Sequence, residues 1–566
     1  MVDDMSQLSF VCNGESVVVA VDQGETLLSV LRERLGLMSP KDGCAPQGQC
    51  GCCTVWVDGA PRVSCVTPAA RVVGRVVTTL EGVDPIRVTR LADRFLASGA
   101  AQCGFCTPGI LMRCLPLVAI DSEPTAVAID RALAAHLCRC TGWNTIIEAL
   151  RGAEIGVEHR DLDRASQRSM CEGGVAQCVD ADAVCGRGGF ADDTAPRDAL
   201  VAVLKPLESD APSVNAAGAE WVIGASLSSA KSQAAKIQGR RTTAPLVPPL
   251  ANLPLPAGGV ALATCFVEPA YLEPDASWCE PGGEPASAAG NGGAFGSKCN
   301  SIVESAAREL AALTDRTVRV VLAREDVVRL GPKRPPISAT AVLINGVCHI
   351  SGSSPMPLVV SPNPYSIPTH VSWSLQTIAG PPVSHEQRAP WAEAAVLLEG
   401  AIEVAGFDRR KNLDERSLEV LLDVCVADPN GGVAGVAIEL SDHGDRIEHV
   451  RLRVLAGEIL DVAVARSYCI GAVHMALGWV LSEGLTVDDD GVVQDLTIRS
   501  FGIIRPKHMP KVTVELLPDP GAPRRGSDAV FVATAAAAWN AVTRSDGDRP
   551  ATFPALGSRI ARTIRK

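Results

Sequence analysis

An α+β chain of several domains is what the sequence predicts, and three observations carry that prediction. At 566 residues with 47% hydrophobic side chains, the chain is globular and too long for one ordinary core, so two to four domains are expected. Its N-terminal part runs strand, strand, helix, loop and hairpin, a small β-grasp order. Beyond that part, apolar positions at helical spacing appear, as in PTAVAIDRALAAHL. The formal net charge of −12 argues against a nucleic-acid partner and against an anionic membrane surface. The opening MVDDMSQLSFVCNGE lacks the basic and apolar regions of a secretory signal. No uncharged apolar run approaches the ~20 residues of a membrane span, so a cytoplasmic protein is expected.

Each element has a local cause. LSFVCNGESVVVAVDQGETLLSVLRERLGL reads as two strands turning at Asn13-Gly14, then a helix opened by Gly24-Glu25-Thr26. The loop KDGCAPQGQCGCC follows, and TVWVDGAPRVSC alternates around Asp58-Gly59 as a hairpin. Between Lys41 and Cys65 stand five of the chain's 20 cysteines. Disulfides seldom persist in a reducing compartment, so the cluster reads as metal ligands. Cys44-x5-Cys50-x2-Cys53, with Cys65 eleven intervening residues further on, is the plant-type [2Fe-2S] spacing with one residue inserted. Gly43, Gly48 and Gly51 suit a backbone that curls around a cluster and aims N–H groups at sulfur. Cys52 is then a spare, packed thiol. A zinc-binding cysteine turn is the alternative, although zinc ribbons usually pair two C-x2-C knuckles.

A second constellation follows. AQCGFCTPGILMRC carries Cys103 and Cys106, and HLCRCTGWNTIIEAL carries Cys138 and Cys140 after a gap of thirty-one residues. Helix-period positions between them, as in PTAVAIDRALAAHL, put both pairs at helix ends. The phrase QCGFCTPG with LCRCTGW resembles the second [2Fe-2S] domain of the xanthine dehydrogenase and aldehyde oxidase family, the molybdenum hydroxylases. With the first motif, residues 7–155 resemble that family's complete small iron-sulfur subunit. The resemblance implies a β-grasp [2Fe-2S] ferredoxin-like domain over 7–84, ligating through Cys44, Cys50, Cys53 and Cys65. It implies a four-helix-bundle [2Fe-2S] domain over 85–155, ligating through Cys103, Cys106, Cys138 and Cys140. Gln102 stands where the family's glutamine contacts the pterin of the molybdenum cofactor.

Residues 156–187 show no clean period and read as a linker; the evenly spaced Cys171, Cys178 and Cys185 read as ordinary thiols. Residues 188–566 resemble an abridged molybdopterin-binding subunit of α+β type. GGFADDTAPRDALVAVLKP resembles its opening, FVEPAYLEPDASWCEP its LEP phrase, and NGGAFGSK, Asn291 to Lys298, its glycine-rich loop beside the metal centre. Gly292, Gly293, Phe295 and Gly296 are the implied cofactor contacts there. Arg388 opens an Arg-Ala-Pro turn matching the family's arginine near the active site. AARELAALTDRTVRVVLARED, GAVHMALGWVLSEGL, KVTVELLP and AVFVATAAAAWNAV match later helix and strand segments.

Two departures bear on chemistry. The chain is shorter than the family's subunit, and no GQG-type loop that holds the pterin from its other side is visible. The family's catalytic glutamate ends a K-G-x-G-E phrase, whereas RRGSDAV here offers Asp528, which fits after a one-residue shift. Asp528 is the candidate general base, its bland alternative being a residue of a Gly-Ser-Asp bend.

The resemblance implies an oxidoreductase that hydroxylates an aldehyde or N-heterocycle with water-derived oxygen, using a molybdenum-molybdopterin cofactor and sending electrons through two [2Fe-2S] clusters. The alternative is an electron-transfer subunit whose molybdopterin-like domain is a non-catalytic docking module. An iron-sulfur sensor is disfavoured by the acidic charge and the lack of a DNA-reading element. In the family that it resembles the electron acceptor is usually a flavin domain or flavin subunit, and since this sequence shows no phosphate-cradling glycine motif on a strand-to-helix turn, the resemblance implies a separate flavin-binding subunit. A further chain or a second copy is expected to complete the cofactor pocket.

Overall fold

The computed structural model describes residues 6–44, 47–118, 123–152, 160–205, 220–234, 242–298, 301–355, 369–380, 383, 389–411 and 413–565. The N-terminal order is the expected one. Strands β1 (Ser6–Cys12) and β2 (Glu15–Val21) pair antiparallel around Asn13, whose φ of 51° is the left-handed turn that Asn-Gly favours. Helical turns at Leu27–Ser29 and Val30–Arg34 precede the hairpin of β3 (Thr54–Val57) and β4 (Ala60–Val63). A strand that the sequence reading did not single out, β5 (Val76–Thr78), joins the two halves, giving the order β2-β1-β5-β3-β4. Leu8, Phe10, Val55, Val57 and Val77 from the sheet bury Leu27, Val30 and Leu31 from the helical turns.

Four helices come next: α1 (Pro85–Ser98), α2 (Thr107–Val118), α3 (Ala126–Leu133) and α4 (Asn144–Arg151). Helix α1 starts on an Asp84 cap with Pro85 in its first turn and stops at Gly99 in the left-handed region, as N- and C-terminal signals dictate. Cys103 and Cys106 immediately precede α2, and Cys138 and Cys140 lie between α3 and α4.

Helix α5 (Leu162–Gly173) occupies what the sequence presented as irregular linker. Its buried positions, Ala165, Arg168, Ser169 and Glu172, do follow helical spacing, but most of them are polar, so a search for apolar period passes over them.

Among the described residues, the rest of the chain builds three sheets and the helices that bury them. One has the strand order Trp221–Gly224, Leu200–Leu204, Val318–Leu322, Asp275–Cys279, with α6 (Val303–Thr314) packed on it. A five-stranded sheet runs Thr369–Leu375, Val347–Ser354, Ser338–Ile344, Gly259–Thr264, Thr552–Phe553. A four-stranded sheet runs Val424–Ala427, Val433–Leu440, Ile447–Leu455, Lys511–Leu516. Helix α7 (Ala389–Ala405) packs on the five-stranded sheet and α9 (Ser527–Asp546) on the four-stranded one; α9 also packs against α7 and against α8 (Val462–Leu481). By length and composition α8 is apolar enough to cross a membrane, although it contains Arg466; 89% of its apolar window is buried inside the protein, and it serves as a core helix.

Among the described residues, buried ion pairs and close backbone contacts help to join the cysteine-bearing part to the rest. Arg32 reaches Asp192 at 2.8 Å and Asp193 at 2.9 Å, and Lys41 also pairs with Asp193, all of them nearly buried. Elsewhere backbone meets backbone. A Cβ on Gly99 would stand 2.5 Å from Ala463 O, one on Gly142 2.5 Å from Ile470 O, and one on Gly471 1.9 Å from Cys140 O. Helix α8 therefore lies directly on the Cys140 loop.

Candidate functional site

The predicted ligand cysteines gather into two groups, all buried except the half-buried Cys140. In the first, Cys44 contacts Cys50 and Cys65, and Cys65 also contacts Cys53. Backbone N–H groups of Gln47 and Gln49 point at Cys44 Sγ from 3.3 and 3.5 Å, the donors that the glycine-rich loop was expected to supply. Gly51 has a φ of 76°, and a Cβ there would lie 2.5 Å from the ring of buried His136, so only glycine turns the loop at this point. In the second group Cys103 and Cys140 stand 3.6 Å apart and Cys106 contacts Cys138. Among the described residues no three or more His, Cys, Asp or Glu converge on one ion. The first four sulfurs run in one chain of contacts and the second four meet as two pairs, and four thiolates in each group suit a two-iron cluster that takes two on each iron. Cys52 is 1% exposed and bonds none of the second group, yet its thiol lies between the two groups and is felt electrostatically by Cys106.

A cavity of about 510 Å³ opens beside the second group. Its wall includes Gln102, Cys140, the Phe295-Gly296 pair and Asp528, drawn from four separate stretches of sequence. Gln102 Nε2 donates to Cys140 O at 3.0 Å and to Ser467 Oγ at 2.9 Å, which fixes its amide at the wall. Phe295 and Ala294 have φ values of 57° and 50°, the left-handed region that bulky residues rarely enter and that clusters at ligand sites. Gly292 lies behind them, where a Cβ would come within 2.9 Å of Cys103 Cβ, and Gly293 opens the turn Gly293–Gly296. Asn291 ties this loop down, donating to Cys103 O at 3.2 Å and to Cys178 O at 3.0 Å. Arg388 lies outside the described residues.

Asp528 sits in the first turn of α9, 3.4 Å from Arg525. The helix begins at Gly526, and the buried carboxylate of Glu172, from α5, accepts N–H bonds from Gly526 at 3.2 Å and Ser527 at 3.0 Å while pairing with Arg168. Asp428, nearby, has its carboxyl pushed up to about 7 by burial and then by Asp528.

Several wall residues were not foreseen. Arg139 grips Glu483 through two bonds of 2.6 and 2.9 Å, and Arg334 lies over the stacked rings of Trp479 and Phe531 at 5.0 and 5.3 Å. Lys333 is 1% exposed, and burial pulls its amine down to about 8 against the opposing charge of Glu268. The Lys333-Arg334 dipeptide and the tryptophans carry no motif spacing, so nothing in sequence marked them. For Glu172, helical spacing in a stretch poor in apolar residues was the available signal.

The cavity fits a bulky planar cofactor: its volume is in the ligand-pocket range, and buried donors of its wall, Trp391 Nε1 and Trp479 Nε1, have no hydrogen-bond partner.

A family model described as "[2Fe-2S] binding domain" matches residues 79–151. The small subunit of nicotine 6-hydroxylase from Paenarthrobacter nicotinovorans is 41% identical over 150 residues, 26% of this chain and 90% of that protein. The xanthine dehydrogenase iron-sulfur-binding subunit of Escherichia coli O157:H7 is 40% identical over 145 residues, 25% of this chain and 90% of that protein. Across the whole chain the fold resembles that of the aldehyde oxidoreductase from Desulfovibrio gigas, with a TM-score of 0.72 at 14% identity, covering 99% of this chain and 100% of that one.

Proposed function

The chain belongs to the xanthine dehydrogenase and aldehyde oxidase family of molybdenum hydroxylases, enzymes of [2Fe-2S] clusters and molybdenum-molybdopterin, and from that premise we propose that it oxidises an aldehyde or an N-heterocycle. The observation that carries this reading is the convergence of Gln102, Cys140, Phe295, Gly296 and Asp528 on one cavity. Domains over 7–84, 85–155 and 188–566, with 156–187 between them, correspond to the β-grasp, bundle and molybdopterin-binding units.

For an aldehyde, substrate and water become a carboxylic acid, two protons and two electrons. The molybdenum-pterin group supplies oxygen transfer and the two-electron redox step when bound. Asp528 accepts one of the protons. Gln102 holds the pterin edge, and Phe295 with Gly296 closes the cavity on the side of the glycine loop. Cys103, Cys106, Cys138 and Cys140 would hold one cluster beside the cavity and Cys44, Cys50, Cys53 and Cys65 a second, and this pair would supply a path for electrons from the cavity to a flavin-binding subunit, in a complex where a further chain or a second copy closes the cofactor pocket. Cys140 and Gln102 share the cavity wall, which supports that direction of flow.

Asp528→Asn tests the reading. Iron, molybdenum and pterin contents are expected to stay as in the wild type while turnover falls about 10²-fold or more, since only the proton acceptor is lost. Wild-type turnover in the variant returns Asp528 to the role of a helix-start residue. A purified chain that holds four irons and no molybdenum or pterin favours the docking-module alternative.

A further inference from the structure

We propose that the substrate is a planar ring carrying a carboxylate, and that Lys333 is the residue that binds this anion. The inference rests on the proposed hydroxylase reading and adds the substrate's chemical class.

Charge pairing around the cavity singles out Lys333. Arg139 is matched by Glu483, Arg334 by Glu393, Arg525 by Asp528, and Glu268 by Arg324. Glu172 of the wall is matched by Arg168. Lys333 also lines the cavity, but among the described residues no carboxylate lies within ion-pair distance of it; its Nζ donates to the Gly331 carbonyl. An ammonium has three donors, so two remain for a ligand. Next to it, Nε and Nη1 of buried Arg324 also have no acceptor. Glu268 acts on Lys333 from beyond ion-pair distance and is already paired with Arg324, so among the described residues two buried cations share one carboxylate and these donors lack one acceptor of negative charge.

The neighbouring wall gives the shape of the rest of the ligand. Arg334, the next residue, covers Trp479 and Phe531, whose rings are stacked 5.5 Å apart at 15°. Trp391 completes an apolar flank with its ring also in the wall. A flat ring against these faces with its carboxylate on Lys333 satisfies both halves of the wall.

The anion has two possible sources, a substrate carboxylate or a phosphate of the cofactor, and the test separates them. Calorimetric titration of the purified protein compares benzoate with benzamide, which share a ring and differ in charge. Benzoate is expected to bind about 10- to 100-fold tighter, the value of a hydrogen bond to a charged group. Lys333→Met is expected to abolish that preference with unchanged molybdenum and pterin content, and Lys333→Arg to keep it. Turnover of 4-carboxybenzaldehyde over 4-methylbenzaldehyde is expected to fall by the same factor in Lys333→Met, which assigns the carboxylate to the substrate rather than to the product. Equal binding of benzoate and benzamide to the wild type overturns the proposal without any variant. So does a preference that survives Lys333→Met, or loss of molybdenum and pterin in that variant, which assigns the anion to the cofactor. A chain without turnover that still prefers benzoate through Lys333 refutes the hydroxylase reading alone.

Discussion

Replacing Glu172 tests how the first turn of α9 is held. Its carboxylate takes N–H bonds from Gly526 and Ser527 and pairs with Arg168, whose side chain is 1% exposed. Glu172→Ala removes both acceptors at a helix start and leaves a buried guanidinium without its anion. Removing one partner of a buried pair costs about 3–5 kcal/mol. If the cost is local, opening of the first turn becomes easier by roughly two to four orders of magnitude. Glu172→Gln keeps a carbonyl oxygen for the backbone and loses the charge. Charge-assisted bonds are about twice as strong as neutral ones, so roughly half of the effect is expected. Hydrogen-exchange mass spectrometry of peptides spanning 524–532 reads this directly, with the Lys511–Leu516 strand as an internal reference. Faster exchange in the order wild type, Gln, Ala is the expected result. Unchanged exchange of that turn in both variants would refute the idea that α5 clamps the helix carrying Asp528.

Cys50→Ser and Cys106→Ser are each expected to remove one of two [2Fe-2S] EPR signals and about two of four irons, whereas Cys52→Ala leaves both signals in place; zinc in place of iron would contradict the cluster assignment. Asp428 gives a pH signature. Its carboxyl is raised from 3.8 to about 7 in the fold, so it stabilises the fold least once the pH has risen through that range. Asp428→Asn is therefore expected to match the wild type in unfolding free energy near pH 4 and to exceed it at pH 8 by up to roughly 4 kcal/mol; equal free energies at both values would count against it. Gly51→Ala places a methyl group against His136 in a left-handed backbone, and loss of the first cluster's signal on purification is the expected outcome.

Asp528 was singled out only by likeness to a family phrase, whereas the cysteine pairs and the glycine-rich loop left a spacing in the sequence because covalent and backbone demands dictate residue type there. The Asn13 and Asp58 turns were legible for the same reason. Other parts left no such trace. Helices α8 and α9 are apolar on all sides, so they have no polar face from which a period can be read, and only their likeness to known segments placed them. In α5 the buried stripe is Arg168, Ser169 and Glu172, so its helical period is written in polar letters. The Lys333-Arg334 dipeptide and Trp479 reach one wall from separate segments, a juxtaposition that only the fold creates.

The seam at Gly99, Gly142 and Gly471 has a mechanical consequence. Side chains can shift to absorb an error of half an ångström; a joint of bare backbone has no such slack. The loop that bears Cys140 is thereby machined against α8, and α8 itself supplies Tyr468 and Trp479 to the cavity wall. On the proposed route, the distance an electron crosses on leaving the cavity is set by this fit, so even an alanine at Gly471 acts as a spacer in the circuit.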